Sequence, residues 1–221
     1  MTEKSVAVIG GSAGTQSKEV VVLAQLLGGA LARRNINVVT GAGPGLPAVV
    51  AYAAKENGGK VFGVSPSEQA PFTFAQIAGV DPELLSLYGE SAKRAALAKD
   101  PYDYVTYTGL GDAGRSVALV RGVDAVISLG GGPGTFHEVA IANKDGKIVG
   151  VLEGTGGITD RLRELEPLLR GSAALTAEFV YSRDPIKLAE KVEFTIDARI
   201  AAQLAAIKKE KIKQLVKARQ A

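Results

Sequence analysis

Cysteine and tryptophan are absent from this chain of 221 residues, methionine stands only at the first position, and histidine occurs once, as His137. Without thiols there is no disulfide framework, no thiolate metal site and no cysteine nucleophile, and a reducing cytoplasm is the expected setting. No stretch approaches the ~20 apolar residues of a membrane span. The opening MTEKSVAVIGG lacks the long apolar core and small-residue cleavage site of a signal peptide, so no membrane partner is expected.

What the chain does have is apolar residues, 46% of the total, enough to give one domain, with or without an appendage, a sizeable core. The net charge of +3 is unevenly spread. Lys208, Lys209, Lys211, Lys213, Lys217 and Arg219 face a single acid, Glu210; without this tail the remainder carries 20 basic and 22 acidic residues and is close to neutral. Lysines with no interleaved aromatics read as the solvated face of a terminal helix rather than as a nucleic-acid or anionic-surface contact.

Short β-rich runs alternate with longer stretches of helical period. Strands are expected at Ser5–Gly10, Asn37–Thr40, Lys60–Val64, Tyr104–Tyr107, Ala125–Leu129, Lys147–Leu152 and Glu178–Tyr181. Helices are expected at Lys18–Arg34, Leu46–Glu56, Leu84–Ala98, Gly114–Arg121, Thr135–Asn143, Ile158–Leu169 and Pro185–Glu193. That alternation implies parallel strands joined by right-handed crossovers: an α/β, Rossmann-like, doubly wound sheet of about seven strands. From Ile196 to Ala221 one long helix follows, with Ile200, Leu204, Ile207, Lys211 and Leu215 along one face, an arm suited to dock on its own body or on a second subunit. The expected division is a nucleotide-binding domain over residues 1–195 and a C-terminal helix over 196–221. The proline-containing loop Ser65–Pro82 shapes a pocket or merely connects.

In open α/β sheets ligands bind at the carboxyl ends of strands. Three glycine-rich loops follow predicted strands there: GGSAG (Gly10 to Gly14), TGAGPG (Thr40 to Gly45) and GGGPG (Gly130 to Gly134). Glycine lets backbone N–H groups approach a phosphate without a Cβ in the way, and a helix start adds partial positive charge. A phosphorylated ligand is therefore expected, with Gly11, Ser12, Gly43, Gly45, Gly131, Gly132, Gly134 and Thr135 as candidate phosphate contacts. There is no GxxxxGK[ST], which argues against a P-loop triphosphatase. GAGPGL has its glycine one place short of the dinucleotide fingerprint and follows the second strand. GGSAG also satisfies GxSxG, but Ser12 follows the first strand and is read as a phosphate or helix-cap hydroxyl.

Thr135 and Glu138 form T-x-x-E, which reads as a capping box. The alternative is a functional carboxylate: Arg115, in GDAGRSVALVRG, starts the helix before strand AVISL, so the two side chains can converge over one sheet edge. His137 either tunes Glu138 or is an exposed helix residue.

GGGPGTFHE, with Arg115 placed 23 residues before Glu138, resembles the PGGxGTxxE pattern of the LONELY GUY (LOG) family, the "lysine decarboxylase-like" Rossmann superfamily that includes molybdenum-cofactor carrier proteins. TGAGPGLPAVV and the opening VAVIGGSAG match its other glycine elements, and the likeness runs from Ser5 to Leu169. Gly130, Pro47 and Ser116 depart from the residues usual there, and GRSVALVRGVDAVISLGGG with IVGVLEGTGGITD is closer to the carrier branch. The resemblance implies a nucleoside 5′-monophosphate phosphoribohydrolase that releases a free base and ribose 5-phosphate. Glu138 and Arg115 would be catalytic, with no metal or cofactor required. It also implies a homodimer or higher homo-oligomer. The competing implication is a carrier that binds a nucleotide or the molybdenum cofactor without turnover.

Overall fold

A computed structural model describes residues 3–11, 16–68, 101–171 and 176–219. The expected helix over 84–98 and most of the 65–82 loop lie outside the described residues, as does Ser12. The strands are β1 (Lys4–Gly10), β2 (Ile36–Thr40), β3 (Val61–Ser65), β4 (Tyr104–Tyr107), β5 (Ala125–Leu129), β6 (Ile148–Leu152) and β7 (Glu178–Ser182). The described helices are α1 (Lys18–Arg33), α2 (Leu46–Glu56), α3 (Gly111–Arg121), α4 (Pro133–Lys144), α5 (Leu162–Arg170, after a 3₁₀ turn at Thr159–Arg161) and α6 (Pro185–Arg219).

All seven strands pair in parallel, in the order β4-β3-β2-β1-β5-β6-β7. The expected Rossmann-like sheet is therefore present, and its order reverses between β1 and β5, where Gly10 pairs with Leu129. Strand alternation divides the core. Val6 and Val8 point into one layer with α1, α2 and α6 (Val21, Leu27, Val50, Leu188, Val192). Ala7 and Ile9 point into the other with α3, α4 and α5 (Leu119, Val139, Leu162).

The two expected C-terminal helices are one. Nothing between Glu193 and Ile196 is a glycine or proline, so the backbone hydrogen-bond ladder continues from Pro185 to Arg219. Leu188, Ala189, Val192 and Ile196 bury their side chains on the sheet, each large one contributing about 1.5–3 kcal/mol. Glu193 ties this half to the body through Lys4 Nζ and Arg34 Nη1, both at 2.7 Å. From Ala201 to Gln214 every residue is exposed, including Leu204, Ile207 and Ile212.

Candidate functional site

The reversal between β1 and β5 opens a crevice at the carboxyl ends of the strands, where ligands of such sheets bind. The loops after β1, β2 and β5 line one cleft of about 1230 Å³ there, with Gly11, Gly41, Gly43, Gly131, Gly132, Gly134, Thr135, His137, Glu138, Arg115 and Ser116 on its wall. Gly45 is not on that wall; it is the residue that starts α2, with φ 97°, and its carbonyl accepts the N–H groups of Ala48 and Val49. Gly11 is on the wall, but its N–H is engaged by the Leu129 carbonyl at 3.2 Å.

Pro133 decides how α4 begins. Its fixed φ suits the first helical position and its missing N–H costs nothing there, so the helix starts at Pro133 with Gly132 as N-cap and no side-chain cap. The capping box expected of Thr135 and Glu138 is therefore not formed: both lie inside the helix. The first intrahelical bond runs from Phe136 N–H to Gly132 O at 3.0 Å. The N–H groups of Gly134 and Thr135 come before that bond and meet no acceptor among the described residues. Among the described residues, a Cβ on Gly132, Gly134 or Gly43 would find nothing within 4 Å, and none of the three has a positive φ. The packing of the described residues does not call for glycine at these positions, and the backbone there is open to the cleft. Gly131 is different: φ is +84° and a Cβ would overlap the Thr135 hydroxyl.

Glu138 is buried, on the second turn of α4, with its Oε1 taking Arg115 Nη1 at 3.0 Å and Ser116 Oγ at 3.1 Å. No described donor reaches Oε2. Ser116 Oγ also lies 2.9 Å from the Asp112 carbonyl, so its single proton serves one acceptor at a time. Burial pushes the Glu138 carboxyl above the usual carboxylate range, against the opposing pulls of the Arg115 guanidinium, the Ser116 hydroxyl and His137. Arg115 has a further, looser partner in Asp112 Oδ1 at 3.6 Å. Its Nε is buried with no hydrogen-bond partner among the described residues. The guanidinium lies on the backbone of Gly41, where a Cβ would overlap Nη1 and stand 2.7 Å from Cζ.

The model of the SLOG cluster4 family matches residues 3–188. The chain belongs to the SLOG cluster4 family. A protein of Archaeoglobus fulgidus described as uncharacterized is 30% identical to this SLOG chain over 141 residues, 64% of this chain and 76% of that one. Among solved structures, that of TM1055 is 26% identical with a TM-score of 0.64, covering 85% of this chain and 99% of that one. The molybdenum cofactor carrier protein MCP from Chlamydomonas reinhardtii is 24% identical with a TM-score of 0.61, covering 89% and 99%. The resemblance to the wider LOG and carrier superfamily thus holds at the level of family and fold. The exposed half of α6 lies beyond the matched segment.

Within this SLOG cleft, the sequence pairs Arg115 with Glu138 but does not mark four further contributors. Ser116, a departure from the family pattern, sits beside Arg115 and reaches the same carboxylate. Gly41 was simply one more loop glycine; what it accommodates comes from another helix. Thr155 and Thr159 hold the β5 loop from the stretch after β6, donating or accepting at Gly130. His137 is an exposed helix residue on the cleft wall and is among the groups that pull the Glu138 pKa down, so its two readings are compatible. Among the described residues no group of three or more His, Asp or Glu side chains is arranged to hold a metal ion, and no helix is long and apolar enough to cross a membrane.

Proposed function

We propose that this protein binds a nucleoside 5′-monophosphate in the β1/β5 crevice and hydrolyses its N-glycosidic bond. The observation that carries the reading is the meeting of Arg115 and Glu138, from separate helices, beside the open N–H groups of Gly134 and Thr135. Phosphate oxygens accept from those N–H groups at the positive end of the α4 dipole. Thr135 and Glu138 are three residues apart on one helix, so their Cβ atoms are about 5–6 Å apart, the scale of a ribose with its 5′ carbon.

In the reaction, Glu138 as carboxylate takes a proton from water through Oε2 while the water oxygen bonds to C1′ of the ribose. The C1′–N bond breaks with its electron pair going to the base, which takes up one proton, and the proton that Glu138 accepted from water is the one supplied, directly or through solvent, so the carboxylate is regenerated. The products are free base and ribose 5-phosphate. Oxocarbenium charge developing at the ribose is stabilised by the same carboxylate. Arg115 opposes the rise that burial imposes on the Glu138 pKa and holds Oε1, leaving Oε2 for the reacting centre. The reading extends to a cytoplasmic homodimer with α6 beyond Ile196 as an arm outside the nucleotide-binding domain.

A second reading is favoured by the likeness to the molybdenum cofactor carrier protein: the same loops hold a phosphorylated nucleotide or pterin without turnover. Purified protein incubated with AMP and the other monophosphates distinguishes the two. Free base and ribose 5-phosphate, abolished in Glu138→Ala, is the expected result. Tight retention of an intact ligand with no base released from any monophosphate would leave the carrier reading standing and end the enzymatic one.

A further inference from the structure

The two carbonyls at the start of the β5 loop both turn toward the stretch that follows β6. Gly130 O accepts the Thr159 hydroxyl at 2.6 Å and the Thr159 N–H at 3.3 Å, and Gly131 O accepts the Ile158 N–H at 2.9 Å. The single proton of Thr159 Oγ1 goes to Gly130, so Ser128 Oγ, 2.6 Å away, is the donor in the bond between the two hydroxyls. Thr155 completes the brace: its Oγ1 accepts the Gly130 N–H at 2.9 Å and donates to the Leu152 carbonyl at 2.7 Å. Gly157 passes so close that a Cβ there would overlap the Gly131 carbonyl oxygen.

Ser128, Thr155 and Thr159 are all buried. Three hydroxyls in such a layer cost free energy unless every one is bonded, and here every one is. The arrangement has a directional consequence. Each peptide unit is trans, so its N–H points opposite to its carbonyl. With the carbonyls of Gly130 and Gly131 fixed toward residues 158–159, the N–H groups of Gly131 and Gly132 are turned the other way. Gly131 N lies 3.4 Å from where a Cβ on Gly11 would stand, on the β1 side of the crevice. No acceptor among the described residues meets either N–H.

We propose that Thr159, braced by Ser128 and backed by Thr155, is a positioning residue that aims the Gly131 and Gly132 N–H groups at the oxygens of a phosphoryl group. The proposal rests on the phosphorylated-ligand reading of the same cleft. It assigns the site two backbone donors in addition to Gly134 and Thr135, and accounts for threonines at 155 and 159, where a strand-to-helix connection alone needs no hydroxyl.

The test compares Thr159→Val, which keeps the shape and loses the hydroxyl, with Thr159→Ser, which keeps the hydroxyl. AMP affinity is measured by calorimetry on the full chain, and residual dipolar couplings are measured for the Gly131 and Gly132 amides without ligand. Valine is expected to weaken AMP binding about tenfold and to change both couplings, the loss of one buried hydrogen bond being enough for that; serine is expected to restore both to near the wild-type values. Wild-type affinity and unchanged couplings in Thr159→Val would overturn the proposal. If wild type binds neither AMP nor any other monophosphate, the nucleotide reading of the cleft falls separately. The couplings then still decide: unchanged in the valine variant, they overturn the aiming role; changed there and restored by serine, they support it.

Discussion

Alanine at Gly41 perturbs the site through a residue that lies outside the β5 loop and does not bond the reacting carboxylate. Built on this backbone, the new Cβ overlaps Arg115 Nη1 and stands 2.7 Å from Cζ and 2.9 Å from Nη2. Gly41 has no positive φ, so the backbone accepts alanine and the guanidinium, the end of a flexible side chain, is what moves. Its 3.0 Å bond to Glu138 is then lost, with both side chains mostly buried (15% and 9% exposed). A hydrogen bond to a charged group is worth about 1.5–3 kcal/mol. Made in the transition state, that amount corresponds to roughly a 10- to 150-fold fall in turnover. Stability falls by no more than the same amount, since Arg115 turns toward Asp112 and Glu138 takes up a proton more readily. The assay is base release from AMP across pH, beside a melting curve: Gly41→Ala is expected to stay folded, to slow, and to move its acid limb to higher pH because Glu138 has lost its opposing charge. Following the Glu138 carboxyl by ¹³C NMR reads the same titration without turnover. A Gly41→Ala protein with wild-type rate and an unmoved acid limb would refute the role given to the Arg115–Glu138 contact.

Further outcomes are expected elsewhere. Since burial holds the Glu138 pKa above its ordinary value of 4.5, base release that needs the carboxylate fades as pH drops through that raised pKa. The stability contribution of the same group has the opposite sense: it is full below the unfolded-state pKa and lost as pH rises through the folded-state one, so thermal melts of wild type against Glu138→Gln should show wild type losing ground over that interval. Gly132→Ala and Gly134→Ala meet no atom of the described residues within 4 Å and should change the melting temperature little, yet weaken AMP binding measured by calorimetry; unchanged affinity in both would mean the ligand's phosphate lies elsewhere. Ending the chain after Ile200 removes a helical half that is exposed from Ala201 to Gln214 and should leave the melting temperature nearly unchanged. Ending it before Pro185 uncovers Leu188, Val192 and Ile196 and should cost several kcal/mol, about 1.5–3 for each large side chain.

The sheet was legible because its signals are local. VAVIG, NVVT and AVISL are short apolar runs punctuated by glycine, and each becomes a buried parallel strand. The structure departs from the sequence expectation where two local rules compete. T-x-x-E and Pro133 both propose a start for α4, and proline prevails because it fits the first helical position without giving up a bonded N–H. Phe194 and Thr195 are poor helix formers next to alanine, but packing of Leu188 to Ile196 carries α6 straight through them. In the site, Arg115 and Glu138 could be paired because both start helices flanking β5, and the family resemblance adds their spacing. Gly41, Ser116 and Thr159 could not, because each acts on a group contributed by another element: the Thr159 hydroxyl reaches a carbonyl 29 residues away, and Gly41 matters only because an arginine from α3 rests on it.

The most direct measurement of the central claim is a structure of the protein with a nucleoside monophosphate bound, using Glu138→Gln to prevent turnover. The account predicts phosphate oxygens within hydrogen-bonding distance of the Gly134 and Thr135 N–H groups and the C1′–N bond beside the side-chain terminus of residue 138. A nucleotide seated with its phosphate away from the start of α4, or with its glycosidic bond out of reach of residue 138, would contradict it.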